Sequence, residues 1–150
     1  MNPTVQLIFT IVGGALVLLS LYGAITLNRK FFLSGLCFFS FLPMIGEGMA
    51  YSDDKAPIHV LVFFVFVIQF ILTMPTNIVY GSDNVAASKL TGKIAWAILI
   101  INAVGALFVL DLAKQVPAQF GYYHVAFSLA VLYVMIKRAT ASSGWAWAKS

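Results

Sequence analysis

Glu47, His59, Asp111 and His124 are the side chains of this sequence best suited to hold a proton, a cation or a ligand. Each lies inside or at the edge of a long apolar run. An ionisable group in such a run is costly and marks a functional position by default. Glu47 is the strongest of the four. It sits in Pro43-Met44-Ile45-Gly46-Glu47-Gly48. Proline removes a backbone donor and frees the carbonyl one turn earlier, and the two glycines weaken a helix further. An acid on a weakened helical segment can exchange a proton, with His59 or His124 as relay.

The same residues suggest a weaker alternative. Two histidines and a carboxylate suit zinc or copper, and two histidines on separate helices can ligate a haem. No paired spacing of the HxxxH or CxxC kind supports this, so His59, His124 and Glu47 are weak metal candidates and no cofactor is assigned. Hydrolytic chemistry has less support still. The sequence carries no nucleophile–base arrangement, no glycine-rich phosphate loop and no extramembrane domain to hold a polar substrate, so it is not read as an enzyme.

The elements that position these groups follow from composition. Hydrophobic residues make up 61% of the 150 and charged residues 9%. A soluble domain carries roughly 25% charged residues, and this chain could not cover a water-facing surface. The mean hydropathy is +0.95. The net charge of +4 forms no basic stripe, which argues against nucleic-acid binding. Cys37 is the only cysteine, so no intrachain disulfide exists, and its apolar setting marks it as a small packed hydrophobe.

A spanning helix needs roughly 20 mainly apolar residues. Runs that qualify cover 5–27, 31–51, 57–80, 93–113 and 120–136, the last being the shortest. The fold class expected is therefore all-α: a polytopic membrane bundle with five transmembrane helices in a single domain, closed by an interfacial tail over 137–150. Trp145, Trp147 and Lys149 in that tail suit a headgroup zone. Met1-Asn2-Pro3-Thr4 carries no Lys or Arg, so the first run is read as a retained helix rather than a cleaved signal. Pro75 is expected to bend the third helix as Pro43 bends the second.

Lys and Arg set the orientation. Arg29, Lys30, Lys89, Lys93, Lys137, Arg138 and Lys149 fall on one side of a five-span model; Lys55 and Lys114 fall on the other. The N-terminus is expected outside and the C-terminus inside a plasma or inner membrane. Glu47, Asp53, Asp54, His59, Asp111 and His124 then gather at the outer side, with Glu47 about 6 Å below the outer end of its helix.

Polar and small residues recur at helical spacing along four of the five runs. Lipid offers no hydrogen bonds, so such stripes face protein. Gln6, Thr10, Gly13, Val17, Ser20 and Ala24 form one; Cys37, Ser40, Met44 and Glu47 another. His59, Val62, Phe66, Gln69, Thr73 and Thr76 form the third, and His124, Ser128, Val131, Met135 and Arg138 the fourth. In the remaining run Asn102 and Asp111 are nine residues apart and point to opposite faces. Gln6, Gln69 and Asn102 are expected to be intramembrane packing groups, with Gln69 and Asn102 meeting near mid-membrane.

Two function classes remain. The first is a non-catalytic subunit or partner-binding component of a larger membrane complex, favoured by short loops and apolar outer faces. The second is an oligomeric proton- or cation-coupled transporter or channel using the outer acid–histidine cluster. Expected partners are the lipid bilayer and either other membrane subunits or further copies of the chain.

Overall fold

The computed structural model describes residues 3–74, 85–113 and 116–140, with side chains over 3–74, 92–113 and 116–137. Among these residues the chain is all-α, with no strand. Helix α1 spans Pro3–Ile25. Helices α2 (Arg29–Phe39) and α3 (Phe41–Asp54) follow, then α4 (Pro57–Thr73) and α5 (Val85–Leu107). A π-helical turn (Phe108–Leu112) extends α5, and α6 (Ala118–Thr140) completes the bundle.

Four segments are long and apolar enough to cross a membrane: Pro3–Ile25, Arg29–Asp54, Gly92–Leu112 and Ala118–Lys137. This is a membrane protein. Its outer surface is apolar, with Ile11, Leu18, Leu61, Ile71, Leu107 and Leu129 all more than half exposed. Its interior is more polar than that of a soluble core. Ser20, Ser40, Gln69, Thr73 and Asn102 are fully buried beside Leu36, Phe39 and Phe127.

Several boundaries differ from the sequence expectation. The second span is one kinked rod, because the helical ladder falters at Ser40, between α2 and α3. Pro43 has no N–H to give the Phe39 carbonyl, and kinks are normally found at such positions. Ser40 caps α2 itself: its N–H reaches the Leu36 and Cys37 carbonyls at 3.2 Å each. Helix α4 ends at Thr73, where Met74 takes an extended backbone (ψ 120°) as the residue before a proline does. Residues 75–80 of the expected third span, with the bend expected at Pro75, lie outside the described residues. At 17 residues α4 is the shorter apolar helix of the bundle, about 25 Å long at 1.5 Å per residue. Helix α6, expected to be the shortest, runs for 23 residues, because it continues beyond Lys137 to Thr140. The tail's Trp145, Trp147 and Lys149, together with Thr76 and Lys114, lie outside the described residues.

Close backbone contact sets the frame. The first helix buries Gly13, Val17, Ser20, Gly23 and Ala24, the face its small-residue stripe predicts. A Cβ on Gly23 would stand 2.2 Å from the Phe32 backbone nitrogen, and one on Gly35 would stand 2.6 Å from the Leu16 carbonyl. Helices α1 and α2 therefore touch backbone to backbone, as small residues allow in lipid. Ser20 Oγ donates to the Phe32 carbonyl across the same contact at 3.0 Å. Nearer the N-terminal end of α1, Tyr123 Oη of α6 donates to the Thr10 carbonyl at 2.7 Å.

Candidate functional site

Two polar groupings lie within the bundle, and together they divide the residues selected from the sequence. The first is at the α3–α4 turn. Lys55 closes α3 in the left-handed conformation (φ 57°), donating its N–H to the Tyr51 carbonyl. Asp54 Oδ1 accepts from the Ala56 N–H at 2.7 Å, and Pro57 opens α4. A turn this tight folds the first turn of α4 back onto α3. His59 is thereby held between two carboxylates. Its Nδ1 is 2.6 Å from Glu47 Oε2 and its Nε2 is 3.1 Å from Asp54 Oδ2.

Both nitrogens of His59 face acceptors. Only the imidazolium donates from both at once; the neutral ring serves one carboxylate and leaves the other to be protonated or unpaired. Glu47 and His59 retain 19% and 17% side-chain exposure, so the unit lies at the edge of the bundle rather than in its core.

His124 does not join this unit. Its neighbours are Phe39, edge-on with ring centres 5.3 Å apart, and Phe66, at 5.5 Å. Phe66 and His59 share α4 but are seven residues apart, about 10 Å along the axis. The outer acid–histidine cluster expected from depth alone is therefore split: depth placed both histidines near one surface, but helix rotation turns His124 into the core. Asp111 is separate again, in the exposed π turn between α5 and α6, which Ala113 N–H closes on the Phe108 carbonyl at 2.8 Å.

The two histidines consequently form no shared metal or haem ligand pair. The nitrogens of His59 point in opposite directions at different carboxylates, so Glu47 and Asp54 cannot converge with the ring on one ion. Among the described residues no group of three or more His, Cys, Asp or Glu side chains is arranged to hold a metal.

The second grouping is a chain of hydrogen bonds through the core. His124 Nδ1 faces Asn102 Oδ1 at 3.0 Å; since an amide oxygen only accepts, the ring proton is on Nδ1. Asn102 Nδ2 donates to Gln69 Oε1 at 2.8 Å and to the Ile98 carbonyl at 2.9 Å. Gln69 Nε2 donates to Ser40 Oγ at 3.1 Å, and Ser40 Oγ donates to the Leu36 carbonyl at 3.0 Å. All four side chains are at most 4% exposed. The chain thus runs in one donor direction through α6, α5, α4 and the α2–α3 kink. Gly105 makes room for it: a Cβ there would stand 3.1 Å from His124 Nδ1.

The chain matches no protein-family model, and no curated protein or solved structure is significantly similar to it.

Of the intramembrane polar residues selected from the sequence, Gln69 and Asn102 are in the core chain. Gln6 is only half-buried; its backbone carbonyl accepts from Thr10 Oγ1 at 2.9 Å, and the side-chain contact with α6 passes through Thr10, which receives Gln119 Nε2 at 3.2 Å. Two members of the sites were not singled out from the sequence as members: Asp54, the second carboxylate on His59, and Ser40, the acceptor at the end of the core chain. Ser40 did lie on its helix's polar stripe, and Asp54 was among the outer acids. What was missing was the partner of each.

Proposed function

We propose that this protein is a non-catalytic, partner-binding component of a larger membrane complex. The observation that carries this reading is the one-directional core chain from His124 to the Leu36 carbonyl. Its two central members are amides. An amide nitrogen donates and an amide oxygen accepts, but neither takes up a proton and passes one on as a hydroxyl, imidazole or water does. A relay through Asn102 and Gln69 is thereby interrupted. The chain serves instead to fasten four helices at fixed rotations, since each polar group it binds would be costly alone in lipid. A bundle sealed in this way offers its neighbours its shape and its apolar perimeter.

Purification in mild detergent from the native membrane tests the proposal. A stable hetero-complex containing this chain is the expected result, and a lone monomer overturns it.

A second reading rests on a different observation, the bridging of His59 by Glu47 and Asp54. A partly exposed acid–histidine unit near the end of a bundle suits the proton or cation uptake of an oligomeric transporter or channel. Homo-oligomers that move protons or cations in sealed vesicles, and lose that flux in Glu47→Gln, distinguish it from the first.

A further inference from the structure

We propose that the α1–α2 turn binds an anionic phospholipid, with Arg29 and Lys30 on its phosphate and Tyr22 and Phe31 against its glycerol and upper acyl chains. The inference stands independently of the function proposed above.

The charges of the bundle are divided by sign. Glu47, Asp53 and Asp54 lie towards the end of α3, and Asp111 lies in the π turn at the same end of the bundle. Arg29 and Lys30 open α2 at the opposite end, where Lys93 lies near the start of the α5 span and Lys137 late in α6. No carboxylate among the described side chains shares that end. The fifth acid, Asp83, lies outside the described residues. The bundle therefore presents an end of one sign, and an anionic headgroup is the complementary charge that a membrane supplies.

Arg29 makes the need specific. It is partly buried, yet among the described residues its guanidinium meets no carboxylate and no hydrogen-bond acceptor. A guanidinium carries five N–H donors in a fork that matches two phosphate oxygens at once. Lys30 is exposed beside it and adds a second cation. Both stand in the first turn of α2, which contains no acid, and the helix dipole disfavours positive charge there. The two cations thus do not stabilise the helix they open, and a phosphate bound to them reverses the sign of that interaction.

The turn holds these side chains in place. Leu27 takes the left-handed conformation (φ 54°) and packs against the core. The Asn28 N–H donates to the Gly23 carbonyl at 2.8 Å, and Asn28 Oδ1 accepts from the Phe31 N–H at 3.3 Å. The chain enters α2 along one fixed path, and Arg29 and Lys30 leave it from a fixed backbone.

The adjoining surface selects a lipid over a free anion. Tyr22 lies about 4.5 Å before the end of α1 at 1.5 Å per residue, and Phe31 follows Lys30 directly. Their rings are 5.7 Å apart and the residues 56% and 42% exposed. Cations at the edge of the bilayer with exposed rings beside them suit an amphiphile, and a free phosphate would leave the rings unused.

Native mass spectrometry of the full chain, released from mild detergent, tests this. Phosphatidylglycerol and phosphatidylcholine with identical acyl chains are offered together. The wild type is expected to retain phosphatidylglycerol in preference. Arg29→Gln and Lys30→Gln should each lower that preference about five-fold, the change that about 1 kcal/mol per cation makes. Lys55→Gln, at the opposite end, should leave it unchanged. Tyr22→Ser with Phe31→Ser should weaken retention of phosphatidylglycerol, and inorganic phosphate at the lipid's own concentration should not displace it. Lys30 is exposed, so Lys30→Gln reads its charge without disturbing the packing. Equal retention of the two lipids by the wild type overturns the proposal. So does a preference that survives Arg29→Gln combined with Lys30→Gln, one lost equally in Lys55→Gln, retention indifferent to the Tyr22 and Phe31 changes, or displacement by inorganic phosphate, which would mark a free-anion site.

Discussion

Asn102 Nδ2 on α5 donates to Gln69 Oε1 on α4 at 2.8 Å, and both side chains are fully buried. Asn102 also accepts from His124, so it joins α4 to α6. Truncating it leaves two buried groups unpaired, whereas truncating His124 leaves one. Asn102→Ala is therefore expected to destabilise the bundle by about 1–3 kcal/mol. The simultaneous replacement Gln69→Leu with Asn102→Leu should cost less than the sum of the single changes, because both partners become apolar. Reversible unfolding in detergent gives the coupling, which in membrane proteins averages about 0.6 kcal/mol per bond. Strict additivity would mean that the bond contributes nothing.

Glycine substitutions should rank by what the new Cβ meets. Gly23→Ala places it 2.2 Å from a backbone nitrogen, which cannot move without separating α1 from α2. Gly14→Ala meets only the Tyr123 hydroxyl at 3.3 Å. Gly23→Ala is expected to lower the melting temperature in detergent sharply, and Gly14→Ala to leave it nearly unchanged. Gly13→Leu should fall between them, since its first contact is the edge of the Tyr123 ring at 2.9 Å. Equal effects at Gly14 and Gly23 would contradict the close α1–α2 contact.

Gly105→Ala acts on the core chain without removing any of its hydrogen-bonding groups. Its Cβ would press on the His124 ring at 3.1–3.2 Å and push Nδ1 away from Asn102. The expected signature is a change in the His124 imidazole NMR signals together with a loss of stability comparable to that of His124→Ala. A normal imidazole spectrum in Gly105→Ala would show that the ring has room to spare.

The contact between His59 Nδ1 and Glu47 Oε2, 2.6 Å apart, should contribute modestly to stability. Its partly exposed setting limits the contribution to about 1 kcal/mol or less. Glu47→Gln and His59→Gln should each lower the melting temperature in detergent slightly, and the double substitution should cost less than the sum of the two. Melting temperatures unchanged by either substitution would show that the contact is energetically silent.

Orientation is open to a direct measurement. Seven of the nine Lys and Arg residues fall on one side of a five-crossing arrangement. A reporter active only outside the cytoplasm, fused after Ser150, should therefore be silent. An active reporter would place α4, the shorter apolar helix, on the surface instead of across the bilayer.

The sequence by itself determined the solvent of this protein and the inward face of its helices. Both are sums over neighbouring residues. Hydropathy accumulates along one segment, and a stripe such as Gly13, Val17, Ser20 and Ala24 repeats with the helical period, so neither depends on any other part of the chain. The weak point at Pro43 was legible for the same reason, because proline acts on the carbonyl one turn away. Tertiary structure decided which stripes meet. Gln69 and Asn102 are 33 residues apart, and His124 is a further 22 beyond Asn102. Depth in the membrane suggested that His124 belonged with Glu47 and His59, but depth is only one coordinate. The rotation and tilt of α6 are set by Tyr123 on Thr10 and by Gly105 beneath the imidazole, and they turn His124 inward. The acid–histidine unit required the left-handed turn at Lys55, which folds α4 back so that His59 lies between Glu47 and Asp54. Period and depth place a residue on its own helix; only packing between helices gives it a partner.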